Sequence, residues 1–180
     1  MRNGINSQLE TRRLILRPML ETDIDPLHLI FTDPKVMASF NHDPFTPEQT
    51  SRWLQRNLDH QKEFGYGLFS IILKETGALI GDCGLERMDV EGTLVTELGY
   101  DFRSDFWNQG YATEAAIAVR DYAFEVLQLQ ELVSLIRVGN LASKRVAEKI
   151  GMRLADEFTR FGIRYWKYRI QQSQDELRSS

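Results

Sequence analysis

Cysteine occurs once in the 180 residues, as Cys83. A single thiol excludes an internal disulfide framework and a cysteine-cluster zinc site, moves redox chemistry down the order of candidate functions, and fits a reducing compartment. Histidine is nearly as scarce: His28, His42 and His60 lack the paired spacing of a metal site, so no metal is expected. No stretch approaches the roughly 18 apolar residues that cross a bilayer, and the first eight residues hold no apolar signal region. The expectation is a soluble, cytoplasmic protein without a membrane partner. Neither sign of charge dominates: 22 basic against 26 acidic residues give a net charge of -4, so no overall positive field draws the chain to nucleic acid. With only 12 Gly and 5 Pro the chain is neither fibrous nor low in complexity, and 42% hydrophobic residues suffice for a sizeable core. The length fits one domain over residues 1–180, with a core of about residues 9–172 and a polar tail over 173–180 that frays.

What is present alternates between strand and helix periods. Leu14 and Leu16, flanked by Arg13 and Arg17, predict a first strand stopped by Pro18. Thr22 is expected to cap a short helix carrying Ile24, Leu27, Ile30 and Phe31, ended by Asp33-Pro34. Thr46-Pro47-Glu48-Gln49 opens a second helix with three agreeing signals: a capping hydroxyl, Pro at the first helical position, and Gln three residues after the cap. The apolar run Gly67 to Leu73, the turn Lys74-Glu75-Thr76-Gly77 and the strand Ala78 to Leu85 form a hairpin. Next comes an alternating strand with Leu94, Leu98, Tyr100 and Phe102 on one face and Val95, Glu97, Gly99 and Asp101 on the other. From Ala112 the period becomes helical, Glu131 to Val138 is again a strand, and Asn140 starts a short helix closed by Gly151. Two strands turning at Gly162 finish the chain. Antiparallel runs plus one strand-helix-strand unit predict an α+β domain with a mixed central sheet.

The segment from Asp101 to Ala115 joins the alternating strand to the long helix. Gly110 permits a backbone conformation closed to other residues, small Ala112 lets a ligand approach, and the N–H groups of the first helical turn suit a pyrophosphate. Neither the three-glycine dinucleotide pattern nor the Gly-Lys-Ser/Thr of the nucleotide triphosphate loop is present.

Five ordered motifs together resemble the GCN5-related N-acetyltransferases, in the branch that acetylates ribosomal-protein amino termini. They are Thr11 to Pro18, Gly77 to Leu85, Glu97-Leu98-Gly99-Tyr100, Trp107 to Ala115, and Asn140 to Met152. The resemblance implies that family's fold: about seven strands in a mixed sheet, about four flanking helices, and the strands Leu94 to Phe102 and Glu131 to Val138 splayed apart. It implies acetyl-coenzyme A as cosubstrate, with its pyrophosphate on Asn108, Gln109, Gly110, Tyr111, Ala112 and Thr113 and its pantetheine arm along the backbone of Tyr100 to Phe102. Trp107 stands where the wider family often has Arg or Gln, so no side-chain phosphate contact is assigned there. Asn140 and Ser143 match the family's Asn-x-x-Ser, which implies that Asn140 bonds the pantetheine or acetyl region and Ser143 protonates the leaving thiolate; capping of the helix by Asn140 is the alternative.

Acetyl transfer to an amine needs a neutral nucleophile, and an alkylammonium has a reference pKa of about 10.4, so a positioned carboxylate is useful. Glu97 is the candidate base, because burial in a central strand would raise its pKa; the alternatives are a Glu97 facing water or paired with Arg87 or Arg137, and water as the base. Phe40, His42 and Phe45, in the loop before the second helix, are the candidate acceptor-binding residues. Cys83 reads as a small buried hydrophobe, not an acetyl-accepting thiolate. His28 and His60 read as solvated, Arg12, Arg13 and Arg17 as a solvated edge, and Trp53 and Trp166 as core. The reading is an N-acetyltransferase working by direct attack in a ternary complex on a protein amino terminus or a small amine. The alternatives are a noncatalytic acyl-coenzyme A binding module of the same fold and an interaction domain. Monomer and homodimer both remain open, with Tyr165, Trp166, Tyr168 and Ile170 available to a dimer surface.

Overall fold

A computed structural model describes residues 8–90 and 92–172; the expected frayed tail over 173–180 lies outside the described residues. Eight strands form one sheet in the order β1-β2-β3-β4-β5-β6-β8-β7. They are β1 (Leu9–Glu10), β2 (Leu14–Pro18), β3 (Leu68–Leu73), β4 (Leu79–Val90), β5 (Thr93–Phe102), β6 (Glu131–Arg137), β7 (Arg153–Arg160) and β8 (Ile163–Gln171). All neighbours are antiparallel except β5 and β6, joined by the crossover helix. Five α-helices flank the sheet: α1 (Ile24–Phe31), α2 (Pro34–Phe40), α3 (Pro47–Phe64), α4 (Tyr111–Asp121) and α5 (Leu141–Lys149). The α+β class with a mixed sheet is as expected. The two-residue β1 and the helix α2 are additions to it.

Helix α2 was hidden behind Asp33-Pro34, which the sequence reads as a stop. Asp33 instead accepts the Lys35 N–H on its side chain and Pro34 takes the first helical position, so the same dipeptide that closes α1 opens α2. Thr22 does not cap α1. Asp23 occupies that junction, and its carboxylate is taken by the Leu20 N–H, Arg17 and Ser70. The capping box of α3 forms as expected, with Thr46 Oγ1 accepting from the Gln49 N–H and Gln49 Oε1 from the Thr46 N–H.

Apolar residues fill both sides of the sheet. On one side Leu14, Leu16, Ile71, Leu85 and Leu98 pack against α4 and α5, where Ala115, Ala116 and Ala147 are completely buried and let the helices lie close. On the other, Leu68 and Leu79 meet Leu27, Ile30 and Phe31 of α1, Val36 and Met37 of α2, and Leu54 and Leu58 of α3. Each such side chain removed from water contributes about 1.5–3 kcal/mol before entropy is counted. Trp53 is part of the second cluster, tilted against Phe31 at 4.5 Å, and Trp166 packs at the edge of the first. Among the described residues no helix is long and apolar enough to cross a membrane.

Candidate active site

Strands β5 and β6 share a single residue pair, Glu97 with Val133, and then part. Parting leaves backbone groups without ladder partners, and buried backbone groups must find others. Two side chains serve them: Ser134 Oγ donates to the Leu98 carbonyl at 2.6 Å, and Glu97 Oε1 accepts the Leu135 N–H at 3.1 Å. Glu97 therefore stands at the fork of the split. Burial, and then the charge of Glu86, raise its pKa to about 7 against the pull of the Leu135 N–H. It pairs with neither Arg87 nor Arg137, the partners named from sequence; the Leu135 backbone takes that place.

The gap opens into a cavity of about 700 Å³ walled by β5, the start of α4, the start of α5 and α2. Tyr100, Phe102, Asn108, Gly110, Tyr111, Ala112, Thr113, Asn140 and Ser143, all named from sequence, line it. At the α4 end Gly110 (φ 82°) and Asn108 (φ 59°) are both left-handed, which turns the chain so that α4 begins at Tyr111 with its first N–H groups at the cavity. Gln109 is not part of the wall: its side chain donates to the Asp105 carbonyl and its own carbonyl accepts from Arg13. Trp107 fixes the loop from the other side, its indole N–H donating to the Phe102 carbonyl at 2.8 Å.

Arg13 is the residue that sequence reading placed wrongly. It does not line a solvated edge but clamps the loop: its Nε donates to Glu114 Oε2 at 2.7 Å, its Nη1 to the Gln109 carbonyl at 2.9 Å, and its guanidinium lies 4.2 Å from the centre of the Tyr111 ring. Glu114 Oε1 also accepts the Thr11 hydroxyl and the Arg13 N–H. Burial works to raise the Glu114 pKa, and these donors outweigh it and hold it below the ordinary range. Arg17 is likewise bound, through two nitrogens, to Asp23.

At the far end Asn140 Oδ1 accepts the Ser143 N–H at 3.1 Å, the capping role that sequence offered as an alternative. The Tyr100 hydroxyl crosses from β5 to donate to the Ser143 carbonyl at 2.7 Å. Its pKa is raised, by burial first, so it keeps its proton. The sequence assigns Tyr100 a backbone role alone and gives no sign of this hydroxyl contact; the alternation of β5 does point Tyr100 away from Glu97.

The chain matches the model of the acetyltransferase (GNAT) domain family over residues 13–153. The uncharacterized protein YkkB of Bacillus subtilis is 40% identical over 147 residues, 81% of this chain and 85% of that protein. This chain belongs to the GNAT acetyltransferase family. An acetyltransferase from Agrobacterium tumefaciens, 33% identical, superposes with a TM-score of 0.80 over 92% of this chain and 95% of that one. The ribosomal L7/L12 α-N-protein acetyltransferase RimL, solved with coenzyme A, has a TM-score of 0.77 over 92% and 98% at 17% identity, a likeness of fold.

Cys83 is completely buried and its thiol pKa is pushed well up, by burial and then by Asp82, so it does not serve as a thiolate. His28 and His60 are not simply solvated: His28 Nδ1 bonds Thr50 Oγ1, while His60 accepts the Arg87 N–H and contacts the Tyr66 carbonyl. Phe40 closes α2 instead of lying in a loop, His42 is exposed, and Phe45 stacks on Phe31 at 5.3 Å. None of these three lines the cavity, whose α2 wall is made by Lys35, Val36, Ala38 and Ser39.

Proposed function

We propose that this acetyltransferase takes acetyl-coenzyme A as donor and passes the acetyl group to a primary amine by direct attack in a ternary complex, without a metal or a covalent enzyme intermediate. The observation that carries the reading is the fork of β5 and β6, where Glu97, its pKa raised, ties the two strands, and beyond which the gap widens into a cavity that Glu97 itself does not line and that runs from Tyr100 to the start of α4. The cavity also fits the donor chemically. Its α4 end offers first-turn N–H groups without intrahelical partners and a turn with Asn108 and Gly110 left-handed to a pyrophosphate, and the split strand edges offer backbone groups to an amide-containing arm.

The residues divide the proton work. Glu97 takes a proton from the acceptor ammonium, directly or through water, leaving the nitrogen lone pair to form the C–N bond. As the C–S bond breaks, the thiolate receives a proton from the Tyr100 hydroxyl or from Ser143, and Asn140 orients the acetyl region. Phe40, at the exposed end of α2, with His42 and Phe45 beyond it, remains the candidate contact for the body of the acceptor outside the cavity, which none of the three lines. The acceptor is a protein amino terminus or a small amine.

The test is titration calorimetry with acetyl-coenzyme A against wild type and Gly110→Val, followed by amine-dependent thiol release. A β-branched residue at φ 82° is strained, so micromolar binding to wild type should be lost in the variant. Binding without thiol release for any amine would leave a noncatalytic acyl-coenzyme A module. No binding to folded wild type would overturn the donor assignment.

A further inference from the structure

The sheet has two free edges, β1 with two residues and β7 with eight. A free edge presents unpaired N–H and C=O groups to any strand that matches it, and short edge strands, prolines and bulges are the usual protection. β7 contains no proline, and its bulge lies at one end, between Leu154 and Asp156. From Asp156 to Arg160 its pairing with β8 is regular, up to a two-residue turn in which Phe161 (φ 51°) and Gly162 (φ 78°) are both left-handed. The direction of the edge groups follows from the strand behind. The Arg164 carbonyl accepts the Val138 N–H on the β6 side, so at the rung of Arg164 with Thr159 the backbone groups of the two strands point away from each other. The N–H and C=O of Thr159 therefore face out of the sheet, and by alternation so do those of Glu157.

The side chains along this edge fit a second copy of themselves. When two copies of β7 run antiparallel with Phe158 on the twofold axis, Glu157 stands opposite the other copy's Thr159, which makes both outward-facing rungs hydrogen-bonded pairs. Asp156 then stands opposite Arg160 on either side of the axis. Among the described residues neither is in an ion pair: Asp156 accepts the N–H of Glu157, and Arg160 lies over the Phe161 ring. Phe158 stacks on Tyr165 at 5.7 Å, and neither ring belongs to a core cluster; across the axis the two stacks meet. Opposite charges and aromatic rings directly across from one another are the favourable cross-strand pairs. Neighbouring registers lose them. A shift of two residues one way sets Glu157 against its own copy, and the other way sets Arg160 against Phe158. A shift of one residue opposes Glu157 to backbone groups already bound to β8.

We propose that the protein forms a twofold homodimer in which β7 pairs with β7 of a second copy over Asp156 to Arg160, joining the two eight-stranded sheets into one. Such a contact uses the same patch on both copies and closes on itself, so it removes the longer free edge without building a filament. Neither β7 nor β8 lines the cavity between β5 and α4, so both copies keep it open. Of the residues that the sequence offered to a dimer surface, Tyr165 takes part, whereas Trp166, Tyr168 and Ile170 pack into the first core cluster. So short a strand edge buries less than the about 1,000 Å² of a stable complex, which makes the dimer a weak one, populated at about 10–100 µM protein.

Sedimentation equilibrium of the full-length protein from about 5 to 500 µM should show monomer passing to dimer and no larger species. Asp156→Arg should raise the dimer dissociation constant about 10- to 100-fold, because two attractive cross-strand pairs become repulsive. Arg160→Asp should do the same, and the double variant Asp156→Arg with Arg160→Asp, which exchanges the charges in place, should restore the dimer. Crosslinking reads the register. Cys83 is completely buried, so an introduced thiol is the accessible one. Cα atoms across a non-hydrogen-bonded pair lie about 4.5 Å apart, within disulfide reach, so Phe158→Cys should link to its own copy under oxidised glutathione. Asp156→Cys lies about 13 Å from its copy, four residues at about 3.3 Å each; it should not link to itself but should link to Arg160→Cys when the two variants are mixed. A monomer at every concentration, or a dimer that Asp156→Arg leaves intact, overturns the proposal. So does a dimer in which Phe158→Cys forms no disulfide. A double variant as monomeric as the single ones overturns the pairing of Asp156 with Arg160, and the register with it.

Discussion

Around the start of α4, Glu114 accepts three donors from Thr11 and Arg13, and Arg13 Nη1 donates to the Gln109 carbonyl. On the face of β4 and β5, by contrast, Asp82 offers both carboxylate oxygens to no partner and Asp101 stands directly across from it. The two regions thus handle charge in opposite ways. The loop before α4 is finished by the protein itself, which fixes it in advance and would lower the ordering cost of binding a ligand there. The face of β4 and β5 is left incomplete, and its stability depends on pH. Glu97, Asp82 and Asp101 all have raised pKa values, so the folded state binds protons more tightly than the unfolded chain. The contribution is fully present below the unfolded carboxylate range and is lost as pH rises through the folded values, for Glu97 through about 7. The melting temperature of the free protein should therefore fall between about pH 5 and pH 8.

The largest expected effect tests whether the fork belongs to the acceptor side at all. Glu97→Gln keeps an oxygen for the Leu135 N–H but cannot accept a proton. It should lower kcat/KM by about 10²- to 10⁴-fold near neutral pH, the usual worth of a general base. If Glu97 is the base, wild-type kcat/KM should rise as Glu97 deprotonates through about pH 7; in the variant that limb should disappear and the profile move to higher pH, with acetyl-coenzyme A still bound by calorimetry. An unchanged pH profile would mean that water is the base and that Glu97 only ties β5 to β6.

Breaking the finished loop should show the reverse pattern. Glu114→Ala strands the Arg13 N–H and frees the guanidinium from the loop, at a cost of about 2–3 kcal/mol of stability for hydrogen bonds to a charged group. Acetyl-coenzyme A affinity should fall about tenfold, with the acceptor KM little affected. A double-mutant cycle with Arg13→Ala should show strong coupling, because the two side chains form one unit. Additive effects would mean that the clamp is not what orders the loop.

Why the two regions differed in legibility follows from the range of the interactions. The capping box of Thr46, the Asn140 cap, the left-handed Gly110 and the alternation that puts Glu97 and Tyr100 on opposite faces are decided within a few residues, and each is readable in order along the chain. Asp33-Pro34 was equally local, yet its stop and start signals coincide, and only the stop was read. Arg13 and Glu114 lie 101 residues apart, and nothing in either segment announces the other. The aspartate rung is similarly invisible: the alternation of β5 shows Glu97, Gly99 and Asp101 sharing a face, but that Asp82 and Glu86 oppose them depends on the register of β4, which one residue of slip would reverse.

A stability measurement sharpens the contrast from the face of β4 and β5. Asp82→Val replaces an unsatisfied buried carboxylate by a β-branched apolar side chain of similar size suited to a strand. At pH 8 it should stabilise the free protein by about 1–3 kcal/mol, the cost of an unmet buried polar group, and it should flatten the fall in melting temperature between about pH 5 and pH 8. Destabilisation at pH 8 would show that Asp82 is satisfied in solution.

The smallest expected effect separates two roles held by one atom. Asn140 Oδ1 caps α5 through the Ser143 N–H, and removing a cap costs about 1 kcal/mol. Asn140→Ala should therefore lose about that much stability together with part of its turnover, which alone does not distinguish a cap from a contact with the acetyl region. Asn140→Ser keeps a capping oxygen but shortens the side chain and removes the amide N–H₂. If Asn140 serves only α5, the serine variant should recover both stability and turnover. If the amide also holds the donor, stability returns while kcat/KM stays low and the acetyl-coenzyme A affinity stays weakened, because the N–H₂ that serine lacks is the group that faces the ligand.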